Sequence, residues 1–174
     1  MSSSLPLWIR QFVALCCAAL LISGCGHEAV RRVPSQSADV IRPAPDRAES
    51  ARSKGEQAAI MAVRQVGIPY RYGGASRRGF DCSGLVHFAY SGVGQRVPRT
   101  TGELWRRLAP VTGDKLQVGD VLFFRIDGTI SHVGLYLGNG RFVHAPASGR
   151  DVSVENLKSP FYRDAFVRGG RPSG

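Results

Sequence analysis

Asp81-Cys82-Ser83-Gly84-Leu85-Val86 is the stretch on which the reading of the fold turns. An acidic cap, a thiol, two small residues and then an apolar run place Cys82 where a loop becomes a helix. The first turn of a helix presents unpaired backbone N–H groups and about half a positive charge. Both favour thiolate over thiol, and the thiolate is the nucleophile. His132 follows further along the chain, with His144 beyond it. A thiol, a candidate base and a candidate orienting group are the parts of a cysteine hydrolase.

Working outward, residues 57–66 read as a helix, with Ala59, Ile60, Val63 and Val66 at helical spacing and Gly67 and Pro69 stopping it. Residues 70–74 read as an extended piece entering a loop. Residues 82–90 form a second helix, capped by Asp81, with Leu85, Val86 and Ala89 inward. A shorter third helix spans 101–108, with Trp105 in the core. The pattern then changes to strands over 118–125, 130–137 and 141–145. Two further edge strands are expected over 152–154 and 165–168. Helices followed by a meandering antiparallel sheet give an α+β domain from about residue 55 to 171.

Strand alternation carries chemical information. Val133, Leu135 and Leu137 point one way, and His132, Gly134 and Tyr136 the other. His144 shares a face with Phe142 on the next strand. A two-residue Asn139-Gly140 turn brings His144 near residues 131–133. Two histidines meeting across a hairpin can form one site with an exposed helix start. Spacing alone does not place Cys82 beside His132.

The first 25 residues read as an export signal. Arg10 precedes an uncharged run from Phe12 to Ile22, which is of signal-peptide length and too short for a comfortable membrane span. The run ends Leu21-Ile22-Ser23-Gly24-Cys25, which resembles the lipobox of bacterial lipoproteins, in which the Cys carries the lipid. Residues 26–54, with Pro34, Pro43 and Pro45, read as a flexible tether. Cleavage removes Cys16 and Cys17 and lipid blocks Cys25, so Cys82 is left as the one free thiol. A disulfide scaffold and a Cys-rich zinc site are excluded by count.

The net charge is +10, from 23 Lys+Arg against 13 Asp+Glu. A basic exported domain is drawn to anionic polymers or lipid headgroups. With an export signal and no nucleic-acid motif, nucleic acid is not an expected partner.

The chain resembles the NlpC-type cell-wall peptidases. The matching segments are Pro69–Gly74, Phe80–Val86, Val97–Thr100, Gly119–Phe124, Ser131–Gly138 and Phe142–Ala145, in family order across the whole expected domain. The overall layout is most similar to the lipoprotein murein endopeptidases of Gram-negative bacteria. The resemblance implies a papain-like fold, with the nucleophile at a helix N-terminus and N-terminal helices packed on an antiparallel sheet of about five to six strands. It implies Cys82 as nucleophile, His132 as base and His144 as the group orienting His132. Tyr70 matches a family tyrosine near the oxyanion site. No cofactor and no metal are implied.

Other residues have two readings each. Asp81 caps a helix and Ser83 bonds the backbone, and either can touch substrate. Arg99 can hold a loop or bind a substrate carboxylate. His87 lies off the face of Cys82 and reads as surface or packing. The expected function is hydrolysis of peptidoglycan peptide bonds. The D-alanyl to diaminopimelate cross-link is favoured over the D-glutamyl to diaminopimelate stem bond. The alternatives are a catalytically silent peptidoglycan-binding lipoprotein, an amidase or acyltransferase, and a zinc site of Cys82, His132 and His144. His144 is expected to be neutral beside His132, so activity should fall at acidic pH. The expected protein is a monomer, lipid-anchored to the outer membrane and facing the periplasm, because Gly26 rather than an inner-membrane retention Asp follows Cys25.

Overall fold

The computed structural model describes residues 52–173. The expected signal, the Cys25 lipidation site and nearly all of the tether lie outside these residues. The chain enters the domain through a capping box in which Ser53 and Glu56 each bond the other's backbone N–H. Helix α1 (Lys54–Val63) therefore starts and ends three residues before the expected 57–66. Its buried face is also different. Ala58, Ala59 and Ala62 face inward, while Val63 and Val66 are 39% and 49% exposed. The small alanines let α1 pack closely on α2, and that contact outweighs the valine spacing.

A two-stranded hairpin, β1 (Ala75–Ser76) and β2 (Gly79–Phe80), leads straight into α2 (Cys82–Gly92). The inward residues of α2 include Leu85, Val86 and Ala89, as expected. Helix α3 (Thr101–Arg107) follows, then β3 (Ala109–Val111), a 3-10 turn at Gly113–Lys115, β4 (Val121–Ile126), β5 (Thr129–Gly138), β6 (Arg141–His144), β7 (Ser153–Asn156), helix α4 (Pro160–Ala165) and β8 (Phe166–Arg171).

Six strands form one antiparallel sheet in the order β3-β8-β4-β5-β6-β7. Strand β7 is an edge, as expected. Strand β8 was expected at an edge but lies inside, between β3 and β4. The actual edge is the three-residue β3, whose Pro110 suits a position with one unpaired side. One face of the sheet, carrying Val121, Phe123, Val133 and Leu135, packs on the helices through Ala58, Leu85, Val86 and Leu104. The other face carries Leu122, Phe124 and Phe142 and is covered by Tyr162, Ala165 and Phe166. Burial on both faces explains why Val121-Leu122-Phe123-Phe124 reads as a continuous apolar run.

The β5–β6 hairpin decides the site. Asn139 and Gly140 both have positive φ, as a tight two-residue turn requires, and Gly138 pairs with Arg141. Continued without interruption, that register would put His144 on the face opposite His132. A one-residue shift between Tyr136 and Gly138 changes the parity, so Tyr136 pairs with Phe142 and Leu135 with Val143. His132 and His144 then share a face. A Cβ at Gly134 would stand 2.6 Å from the Phe142 ring and 3.3 Å from the His144 Cβ, so only glycine leaves room between them.

Candidate active site

Cys82 is the first residue of α2, and Asp81 is its N-cap. The Asp81 side chain accepts the Gly84 N–H at 2.6 Å. The half-buried sulfur points at β5 and at the start of α3. It lies 3.9 Å from the Ser131 carbonyl oxygen and 3.8 Å from the Thr101 Oγ1. The thiol thus rests against the backbone that carries His132. Burial pushes the thiol pKa up, and the Asp81 carboxylate adds to this. The Thr101 hydroxyl and the N–H groups of Val133 and Ser83 pull it down without cancelling the rise. This runs against the expectation from the helix start: burial is the largest influence on the sulfur and favours the thiol over the thiolate.

His132 and His144 meet edge to face, with His132 Nε2 and His144 Nδ1 2.8 Å apart. This leaves Nδ1 of His132 free of its histidine partner. His144 is fully buried and His132 nearly so. Burial lowers the His132 pKa to about 4. Burial, the neighbouring His132 and the Arg150 charge lower that of His144 to about 3. Both rings are therefore neutral near pH 7, so one donates and the other accepts across the 2.8 Å bond. His144 Nε2 lies 3.5 Å from the hydroxyl of Tyr162. Among the described residues, no group of three or more His, Cys, Asp or Glu is arranged to hold a metal ion.

Asp81, Ser83 and Arg99 come together behind the nucleophile. The Arg99 fork bonds Asp81 Oδ1 at 2.9 Å and Oδ2 at 2.7 Å, and also reaches Ser83 Oγ at 3.1 Å and the Gly74 carbonyl at 3.2 Å. Of the two readings of Arg99, these contacts are those of a group holding a loop. They clasp the β1–β2 hairpin to the first turn of α2. Tyr70 is half-buried, and its backbone N–H bonds the Arg150 carbonyl at 2.8 Å. Its phenol pKa is raised by burial and then by the charges of Cys82, Asp81 and Tyr72, which places it in the field of the sulfur. His87 stands apart, bonding the Val97 carbonyl through Nδ1 at 2.9 Å.

Two residues of this constellation were not anticipated. Thr101 read only as a helix boundary. Tyr162 lies on α4, which the sequence reading missed. Ser159-Pro160 was the available signal, since proline favours the first position of a helix.

A thiol at a helix N-terminus, held against an antiparallel sheet that presents a histidine pair, defines the class of site. Residues 67–171, more than half of the chain, match the NlpC/P60 family, and the chain belongs to that family. It is 39% identical over 130 residues to a murein DD-endopeptidase of Escherichia coli, MepH, covering 69% of this chain and 48% of that protein. It is 37% identical over 105 residues to a gamma-D-glutamyl-L-lysine dipeptidyl-peptidase of Bacillus cereus, covering 59% and 32%. The chain thus spans about half the length, or less, of these curated relatives. Among solved structures it resembles an NlpC/P60 family protein from Bacillus cereus, with a TM-score of 0.65, 33% identity and coverage of 68% and 40%. It also resembles the NlpC/p60 domain of the peptidoglycan hydrolase SagA, with a TM-score of 0.59, 29% identity and coverage of 67% and 97%.

Proposed function

We propose that this protein is a peptidoglycan endopeptidase that cleaves by thiol catalysis. The observation that carries the reading is the sulfur of Cys82 set against Ser131 and Val133 while the intervening His132 is bonded to His144 at 2.8 Å. His132 Nε2 is occupied by His144, so Nδ1 is the nitrogen that takes the thiol proton. Because the resting groups are neutral, the proton passes from sulfur to His132 Nδ1 as the sulfur attacks the carbonyl carbon. The Cys82 N–H, one of the first-turn groups without an intrahelical partner, and the Tyr70 hydroxyl steady the oxyanion; one such donor is worth about 3 kcal/mol. The C–N bond breaks as His132 returns its proton to the leaving amine. Water then attacks the thioester, giving one proton to His132; the C–S bond breaks, the carboxylic acid departs, and His132 returns that proton to sulfur to restore the thiol.

The D-alanyl to diaminopimelate cross-link is the favoured bond, supported by the activity for which the Escherichia coli relative is named. The name of the Bacillus relative supports the D-glutamyl stem bond as the alternative. The export signal and the Ser23-Gly24-Cys25 ending support a lipid anchor on the periplasmic face of the outer membrane, with the anchor bringing a monomer to the wall.

The test is incubation of purified murein sacculi with the protein and with Cys82→Ala, followed by mass spectrometry of the products. New muropeptides released by the intact protein alone are expected, and their masses identify the bond. Sacculi left unchanged by the intact protein would reject the peptidase and favour a silent binder. Loss of membrane fractionation in Cys25→Ala tests the anchor.

A further inference from the structure

The histidine pair does not end at His144. A neutral pair joined by one hydrogen bond has two self-consistent tautomers. In the first, His132 holds its proton on Nε2 and donates to His144 Nδ1, and His132 Nδ1 is an open base. In the second, His144 Nδ1–H donates to His132 Nε2, so His132 carries its proton on Nδ1 and cannot accept one from sulfur. The choice is settled at the far nitrogen of His144. That nitrogen is buried, and among the described residues its hydrogen-bond partner is the Tyr162 hydroxyl at 3.5 Å. Catalytic hydrogen bonds in free enzymes are often long and tighten with substrate.

Tyr162 is held where it can act. Its ring stands edge-on to Phe124, Phe142 and His144, with centroids 5.5, 5.0 and 5.2 Å away. A hydroxyl can donate or accept, so its direction depends on the charges around it. Glu155 on β7 and Arg150, an ion pair 3.7 Å long, act on it through space in opposite senses, Glu155 the more strongly. The stronger pull of the carboxylate on the hydroxyl hydrogen frees the oxygen lone pairs to accept a hydrogen bond. Arg150 acts on His144 itself and disfavours a second proton there. Ser153 sits directly across from His144 on β7, with a buried hydroxyl that has no partner among the described residues.

We infer that Tyr162 is a positioning residue: its oxygen accepts the Nε2–H of His144, which leaves His144 Nδ1 to accept from His132 and leaves His132 Nδ1 open as the base. The inference rests on the peptidase reading for its purpose, but not for its measurement. The tautomers are read by 15N NMR of the histidine-labelled protein near pH 7, with His144 assigned through His144→Gln. The expected result is His144 protonated on Nε2 and His132 protonated on Nε2. In Tyr162→Phe the ring packing remains, His144 loses its acceptor, and both tautomers are expected to be populated. Alkylation of Cys82 by iodoacetamide should slow about tenfold, a part of the roughly 10²–10⁴-fold that a positioned base supplies in full. The kcat on muropeptides should fall in parallel, with KM within twofold.

His144 protonated on Nδ1 in the wild type would overturn the inference, whatever the variant does. So would unchanged tautomers in Tyr162→Phe, or a shift seen in Ser153→Ala instead. Expected tautomers in a protein that cleaves no muropeptide would support the inference and reject the peptidase.

Discussion

Acidification should unfold this protein through its histidine pair. The ordinary imidazole pKa is near 6.5, and the folded values are about 4 for His132 and about 3 for His144. Between these limits the unfolded chain binds protons that the folded chain refuses, so stability is complete above pH 6.5 and is lost as pH falls. At pH 5 each ring costs about 2 kcal/mol, because an unfolded imidazole is then some thirtyfold more protonated than not. The two together remove about 4 kcal/mol, a large share of the roughly 5–15 kcal/mol that holds a domain folded. Asp81, whose pKa is held below its usual 3.8 by Arg99 and the Gly84 N–H against the cost of burial, contributes only at lower pH. The assay is urea unfolding at pH 7.5 and pH 5.0, with His144→Gln alongside. The expected loss is about 4 kcal/mol in the wild type and about 2 kcal/mol in the variant, in proportion to the histidines left to titrate. A wild-type difference below about 1 kcal/mol would refute the reasoning, since it would mean that the folded rings take up protons as freely as unfolded ones.

The same values move the acid limb of activity to near pH 4, well below the usual imidazole range, and a kcat/KM profile with its limb near 6.5 would contradict this. Because the Cys82 thiol is pushed above its ordinary 9.0, its alkylation rate should still be rising past that pH, and a plateau below pH 8 would show an ion pair already formed. Arg99→Ala strips the fork from a mostly buried carboxylate and should cost about 2–3 kcal/mol by urea unfolding, with Arg99→Lys recovering only part. A Cβ at Gly84 would run into the Gly74 carbonyl oxygen, so Gly84→Ala should lose about 3 kcal/mol and a visible part of its thermal midpoint.

What could be read without coordinates were features written in neighbouring residues. Asp81 announced the start of α2, and Asn139-Gly140 announced the hairpin. Alternation along β5 put His132 opposite the aliphatic row. Errors came where a local signal competed with packing. The Val63 and Val66 spacing pointed to a buried stripe, but close approach of α1 to α2 favoured the alanines. A short strand with a central proline, β3, carried no pattern long enough to recognise, so β8 was assigned to the edge in its place.

The order of residues determined by itself that a thiol would begin a helix and that two histidines would lie on adjacent strands, because caps, turns and alternation act over a few residues. Only the tertiary structure decided that those histidines share a face, since a single-residue shift near Leu137 reverses parity and leaves no mark in composition. It likewise decided that burial pushes the thiol pKa up and that Tyr162 reaches His144 from a distant helix. Burial and long-range contact are properties of the packed chain, and no short window of sequence contains them.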